Sequence, residues 1–227
     1  MLRKILKGIL PRPLLASLKN YKILSFDFGQ FGTMGAFNSV DRMKNPIPWY
    51  TYPAIEYLKQ LDFSNKIIFE YGSGNSTRFW AERCKTLVSV EHDKVWYDKI
   101  KPTLPDNVEY YLFEETQDYI KSIAKYPDNF FDVVTIDGIH RSHCAAEAIV
   151  KLRDDGFAIL DNSDWNEKAS QLFREADMIE VDMSGFGAIN SYTWMTSFYF
   201  RRNVNLTLAH ERQPVHGIGS VKIREPF

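Results

Sequence analysis

Residues 66–77 read Lys66-Ile67-Ile68-Phe69-Glu70-Tyr71-Gly72-Ser73-Gly74-Asn75-Ser76-Thr77. A short apolar run that ends in a glycine-containing turn and passes straight into helical spacing is the signature of a buried parallel strand feeding a helix. The stretch therefore predicts a strand over 66–71 and a helix over 76–84. Outward from it the same unit recurs. Strands are predicted at 86–91, 108–113, 131–136 and 157–160, with helices at 93–101, 117–125, 142–153 and 166–176. Strands at 178–183 and 192–200 then adjoin without a helix between them. A helix over 52–61 precedes the first strand, and 23–47 reads as an irregular lead-in. This order predicts an α/β chain with a doubly wound, mostly parallel sheet and one antiparallel strand near the C-terminus. Ligands of such sheets bind at the carboxyl ends of the strands, beside the switch point. The residues just after strands one, two, four and five are thus the ones to read for function.

After strand one, Gly72 and Gly74 carry no Cβ, so the chain can turn tightly and approach a ligand closely. A dinucleotide fingerprint would place a third glycine at 77, where this chain has Thr77, and has no use for an acid before the first glycine. After strand two comes Glu91, whose carboxylate could accept both hydroxyls of a ribose. Glu70, Gly72, Ser73, Gly74 and Asn75, followed by Glu91, resemble the first motif and the following acid of class I S-adenosylmethionine-dependent methyltransferases. The resemblance spans roughly residues 50–200 by element order. It implies a Rossmann-like sheet of seven strands, S-adenosylmethionine as cofactor, and a place for Glu70 near the cofactor's ammonium group.

Strand four ends in Asp137-Gly138-Ile139-His140-Arg141 and strand five in Asp161-Asn162. Adjacent strand tips would gather Asp137, Asp161 and Asn162 as three hard oxygen donors suited to Mg²⁺, with Asp164 as a substitute for the third. The arrangement resembles metal-dependent O-methyltransferases of the catechol and sugar types, although strands four and five are closer in sequence than in many catechol-type enzymes. By that resemblance Asp137 serves catalysis, cofactor and metal together, and His140 is the base. A hydroxyl is a poor nucleophile at neutral pH; a metal lowers its pKa and an imidazole can take its proton. The expected activity is O-methylation of a small hydroxylated acceptor such as a sugar or glycan. Two other readings compete, an enzyme of another nucleotide cofactor such as a nicotinamide dehydrogenase, and a non-catalytic binding module.

At 227 residues the chain suits one core, and its division is expected at 1–47 (amphipathic segment and lead-in), 48–202 (the methyltransferase-like domain) and 203–227 (a tail). A net charge of -1 removes the broad basic footprint of a nucleic-acid binder. Two cysteines 60 positions apart match no zinc spacing and suit a reducing, cytoplasmic compartment. Arg3, Lys4, Lys7, Arg12, Lys19 and Lys22 share residues 1–22 with no acid, while Leu2, Ile5, Leu6, Ile9 and Leu10 keep helical spacing up to Pro11 and Pro13. The segment is too interrupted to span a membrane; it reads either as a short helix packed on the domain or as a peripheral membrane contact. The run Ile47-Pro48-Trp49-Tyr50-Thr51-Tyr52-Pro53 is stiff and flat-faced, fit to wall a cofactor or acceptor or to pack on the sheet edge. Trp165 is a candidate acceptor contact. Residues 184–190 read as a mobile rim loop or a plain connection.

Overall fold

The computed structural model describes residues 10–222. Among them, seven strands form one sheet: β1 (Ile67–Tyr71), β2 (Thr86–Glu91), β3 (Val108–Leu112), β4 (Phe131–Ile136), β5 (Leu152–Asp161), β6 (Ile179–Gly185) and β7 (Trp194–Phe200). Their order is β3-β2-β1-β4-β5-β7-β6. β1 pairs in parallel with both β2 and β4, so the winding reverses there and a crevice opens over the tip of β1. β7 runs antiparallel to β5 and to β6, the single reversal that two adjoining strands implied.

The helices, in chain order, are α1 (Arg12–Lys22), α2 (Gln30–Ala36), α3 (Tyr52–Leu58), α4 (Asn75–Ala81), α5 (Lys94–Ile100), α6 (Thr116–Lys121), α7 (Arg141–Lys151) and α8 (Glu167–Glu175). Successive strand residues point to opposite faces, and both faces are covered. Ile68, Leu87, Val133, Ile159 and Phe198 pack with Ile55, Leu58 and Trp80 on one side. Phe69, Tyr71, Val88, Val134, Leu160 and Tyr199 pack with Tyr119, Cys144 and Phe173 on the other. Cys84 and Cys144 are buried and unlinked, and burial pushes both thiols up to about 12.

Two departures from the sequence reading have clear causes. β5 begins at Leu152, five residues before the apolar run, because the sheet carries Arg153, Asp154 and Asp155 on its rim. Gly156 makes that extension possible, since a Cβ there would lie 2.5 Å from the Asp132 carbonyl. The lead-in over 23–47 opens with helix, a π-helical turn over Ile23–Asp27 and then α2, following directly on α1. Pro13 falls in the first turn of α1, where its missing N–H has no partner to lose. The amphipathic run over 2–9 lies outside the described residues. The tail folds back on the domain, with Ile218 N donating to Glu56 Oε1 (2.7 Å) and Leu208 bridging Leu61.

Candidate functional site

The turn after β1 is held by carboxylates below it and beside it. Glu70 is fully buried, and its Oε2 accepts from Thr77 Oγ1 and Ser89 Oγ, each at 2.6 Å, while Oε1 has no partner. Burial pushes Glu70 up to about 7 against the pull of the Ser76, Ser89 and Thr77 hydroxyls. Glu91 Oε2 accepts from Ser73 N (3.0 Å) and Ser73 Oγ (2.7 Å), and its Oε1 from the backbone N–H of His92 and of Asp93. Ser73 Oγ also lies 2.6 Å from the Tyr110 hydroxyl. The loop is thus fixed at Ser73 by Glu91 and Tyr110.

The two glycines differ in purpose. A Cβ on Gly72, whose φ is +88°, would stand 2.7 Å from Gly138 Cα, so Gly72 permits the loops after β1 and β4 to meet backbone to backbone. Gly74 faces a cavity. A Cβ there would reach the Trp96 ring at 3.7 Å, an ordinary contact.

This cavity, about 390 Å³, is lined by Ser73, Gly74, Asn75 and Asp137 from the strand tips, by Trp96 and Lys99 from α5, and by Phe37, Ser39 and Trp49 from the lead-in. Asn75 Nδ2 donates to Asn38 Oδ1 (2.6 Å) and Ser39 O (2.7 Å), which clamps the lead-in against the start of α4. Trp96 Nε1 donates to Ser73 O at 2.8 Å. Trp49 stacks edge-on against Phe37, and its Nε1 is buried without a partner. The run 47–53 thus divides its aromatics: Trp49 walls the cavity, whereas Tyr50 and Tyr52 are core. Tyr50 stands among the acids with an unpaired hydroxyl; burial, then Asp137, Glu70 and Asp161, push it far above its ordinary value. Nothing in the spacing of Phe37, Asn38, Ser39, Trp96 or Tyr110 marks them as neighbours of the loop. Only the folded sheet brings them together.

The tips of β4 and β5 gather around a guanidinium rather than a vacancy. Arg141 Nη2 donates to Asp137 O (3.0 Å) and Asp137 Oδ1 (3.2 Å), Nη1 to Asn162 Oδ1 (3.0 Å) and Asp161 O, and Nε to Gly138 O (2.9 Å). Asp161 turns away toward the sheet, where its Oδ1 accepts from Thr196 Oγ1 (2.6 Å) and Trp194 Nε1 (3.0 Å). Burial and the nearby Asp137 push Asp161 well above the carboxylate range. The expected Mg²⁺ set of Asp137, Asp161 and Asn162 does not fit a cation in this arrangement, because Arg141 supplies the positive charge to two of the three. Asp164 is engaged too, its Oδ1 accepting from Met195 N at 3.3 Å. Among the described residues, no group of three or more His, Cys, Asp and Glu side chains is arranged to hold a metal ion.

Asp137 lines the cavity, and burial lifts it to about 6 with Arg141 opposing. His140 does not line it. It takes a left-handed conformation (φ 53°) at the start of α7 and turns into a separate open depression with His143, Asn166 and Lys168. Its Nε2 lies 3.4 Å from Thr116 Oγ1. The expected base is therefore displaced from the glycine loop after β1 by the turn Gly138–His140. Trp165 is 62% exposed and faces Tyr192, outside the cavity. The 184–190 connection is pinned: Gln30 Nε2 donates to Gly187 O (2.8 Å), and Ile189 N donates to Thr33 Oγ1 (2.8 Å). Gly187 serves close packing there, since a Cβ would meet Tyr50 O and Trp194 at 2.4 Å.

No protein-family model and no curated protein matches the sequence. Solved structures do match. The chain is similar to precorrin-6y C5,15-methyltransferase from Geobacter metallireducens, with a TM-score of 0.53, 13% identity, and 65% of this chain and 86% of that one covered. It is also similar to the tRNA methyltransferase TrmI from Aquifex aeolicus, at a TM-score of 0.48 and 14% identity over 68% of this chain and 70% of that one. The fold is the Rossmann-like methyltransferase fold. Within that fold the cavity described above occupies the crevice at the β1/β4 switch point, the position where doubly wound sheets bind their ligands.

Proposed function

We propose that this protein is an S-adenosylmethionine-dependent methyltransferase that methylates a hydroxyl of a small acceptor, such as a sugar or glycan. The observation that carries the reading is the cavity at the β1/β4 switch point, walled by Ser73, Gly74, Asn75, two tryptophans and Asp137. Its volume falls in the range of small-molecule and cofactor sites. Trp49 Nε1, buried and unpaired beside it, is a donor in want of an acceptor. Glu70 and Glu91 anchor the loop, and Glu91 is assigned to the ribose end of the ligand. Bound S-adenosylmethionine would supply an electrophilic methyl group on a sulfonium.

The rest of the chemistry falls to Asp137. A carboxylate near 6 is matched to removing a hydroxyl proton at neutral pH. Asp137 would take the proton that the acceptor hydroxyl gives up on methylation, and it lines the cavity where that hydroxyl would lie. No metal enters this scheme, and Arg141 holds Asp137 in place.

Calorimetric titration with S-adenosylhomocysteine, with and without Mg²⁺, tests the first half. Binding that is indifferent to Mg²⁺ is expected; binding of NAD and not of S-adenosylhomocysteine would overturn the assignment. The second half is tested by release of S-adenosylhomocysteine across panels of hydroxyl and amine acceptors. Turnover confined to amines would reject the hydroxyl reading while leaving the cofactor intact.

A further inference from the structure

The lead-in exposes a continuous apolar ridge that the domain does not use. α1 buries none of its residues. Leu14, Leu18 and Tyr21 fall at i, i+4 and i+7 and so share one face of it. The Tyr21 and Phe26 rings are 6.1 Å apart, as are those of Phe26 and Phe31. Phe31 and Met34 lie one turn apart on α2. All six are between 39% and 63% exposed. Exposed apolar side chains scattered singly are ordinary; a connected row of them marks an interaction surface.

Charge identifies the partner. The first 44 residues hold eight of the 28 basic residues and two of the 29 acids, Asp27 and Asp41, while the chain as a whole is at -1. α1 itself carries Arg12, Lys19 and Lys22 and no acid; Asp27 pairs with Lys22 at 2.8 Å. A second copy joined through the same ridge would bring two strongly basic segments face to face. We infer that the ridge from Leu14 to Met34 docks on an anionic lipid surface, its aromatic and leucine side chains entering the headgroup boundary while Arg12 and Lys19 meet lipid phosphates. Among the described residues no helix is long and apolar enough to cross a membrane, so the contact is peripheral. α2 runs directly into Ala36, Phe37, Asn38 and Ser39, which line the cavity, so docking sets the cavity's lip beside the lipid.

The test is co-flotation of the full-length protein with vesicles of phosphatidylcholine alone or with phosphatidylglycerol added, across a salt series. Binding to the anionic vesicles is expected to be at least about tenfold tighter and to weaken as salt rises. The double variant Leu18→Asp/Phe31→Asp should lose that binding by about tenfold or more, with its S-adenosylhomocysteine titration and thermal melt unchanged. Both positions are exposed, so the variant tests the surface rather than the fold. Lys19→Gln should weaken the binding by a smaller factor. Equal vesicle binding by the double variant and the parent would overturn the ridge as the docking element. Indifference to phosphatidylglycerol would overturn the anionic surface. Failure to bind vesicles, with sedimentation showing a dimer that the double variant dissociates, would replace lipid by a second copy. None of these outcomes depends on the chemistry assigned to the cavity.

Discussion

The tips of β1 and β2 and the tips of β4 and β5 each present a pair of carboxylates to the same edge of the sheet, and the two pairs are stabilised in different ways. Glu70 and Glu91 are held by hydroxyls and backbone N–H groups: Thr77 and Ser89 for one, Ser73, His92 and Asp93 for the other. At β4 and β5 a single guanidinium ties the Asp137 carboxylate to Asn162 and the Asp161 carbonyl, and only the Asp161 carboxylate, turned to Thr196 and Trp194, keeps neutral donors. Neutral donors can fix a carboxylate without supplying charge, and they leave Glu70 sharing protons near neutrality. A guanidinium supplies charge and shape at once, and it takes the place that a metal would need. The first pair builds the loop. The second leaves Asp137 at the cavity, lifted to about 6.

The sharpest way to break this comparison is Asp137→Asn. Asparagine keeps an oxygen for Arg141 but has no capacity to take a proton, so turnover is expected to fall about 10²- to 10⁴-fold. Calorimetry should find S-adenosylhomocysteine affinity nearly unchanged. A parallel loss of affinity would move Asp137 from the proton to the cofactor.

Arg141→Met comes next, measured by urea unfolding. It strips Asp137, Asn162 and three backbone carbonyls of their donor while leaving the charges buried, and a loss of about 3–5 kcal/mol is expected. A near-neutral result would mean that the tips of β4 and β5 are hydrated well enough to need no guanidinium, and would reopen that corner to a cation.

For the first pair the test is pH. Burial lifts Glu70 from its ordinary 4.5 to about 7. Between those values the unfolded chain sheds the proton and the folded chain retains it, so this group's contribution to stability is full below the lower value and declines as pH rises toward the upper one. Glu70→Gln titrates nowhere in the window. Its stability relative to the parent should therefore rise by about 3 kcal/mol from pH 4.5 to pH 7, read from paired urea curves. A flat difference would mean that Glu70 is already ionised in the folded state.

What the sequence disclosed and what it hid divide along the same line. Apolar runs and the helical spacing between them placed six of the seven strands to within two residues at either end, β5 starting earlier than its run, because a sheet covered on both faces leaves its mark on every strand. The loop residues Glu70 to Asn75 and the acids at 91, 137 and 161 were legible because strand tips in a wound sheet have a known destination. Whether those acids would face a ligand, a metal or a neighbour was not legible. That depended on Arg141, which reads as an ordinary helix residue, and on Trp194 and Thr196, more than thirty positions from Asp161. The cavity's far wall came from a lead-in read as irregular. Its glycines concealed α2, and the Asn75–Asn38 clamp joins residues 37 apart with no pattern between them.

His140 gives the smallest expected effect and the finest test of the division. The pattern Asp137-Gly138-Ile139-His140 resembles a family motif in which the histidine takes the proton, but Gly138 packs its backbone against Gly72, and the following turn carries the imidazole into the neighbouring depression. If proton removal belongs to Asp137, His140→Ala should leave kcat within about twofold and the pH profile unmoved, since no surface substitution away from the cavity should alter the barrier by more than a few tenths of a kcal/mol. A fall of about 10²-fold, the usual cost of losing a general base, would show that the turn rearranges on binding to bring the imidazole to the acceptor. In that case Asp137 would be the residue that orients and His140 the one that reacts. The pH profile separates the two outcomes, because Arg141→Met removes the charge that opposes the lift of Asp137 to about 6 and so should move the profile upward if Asp137 takes the proton.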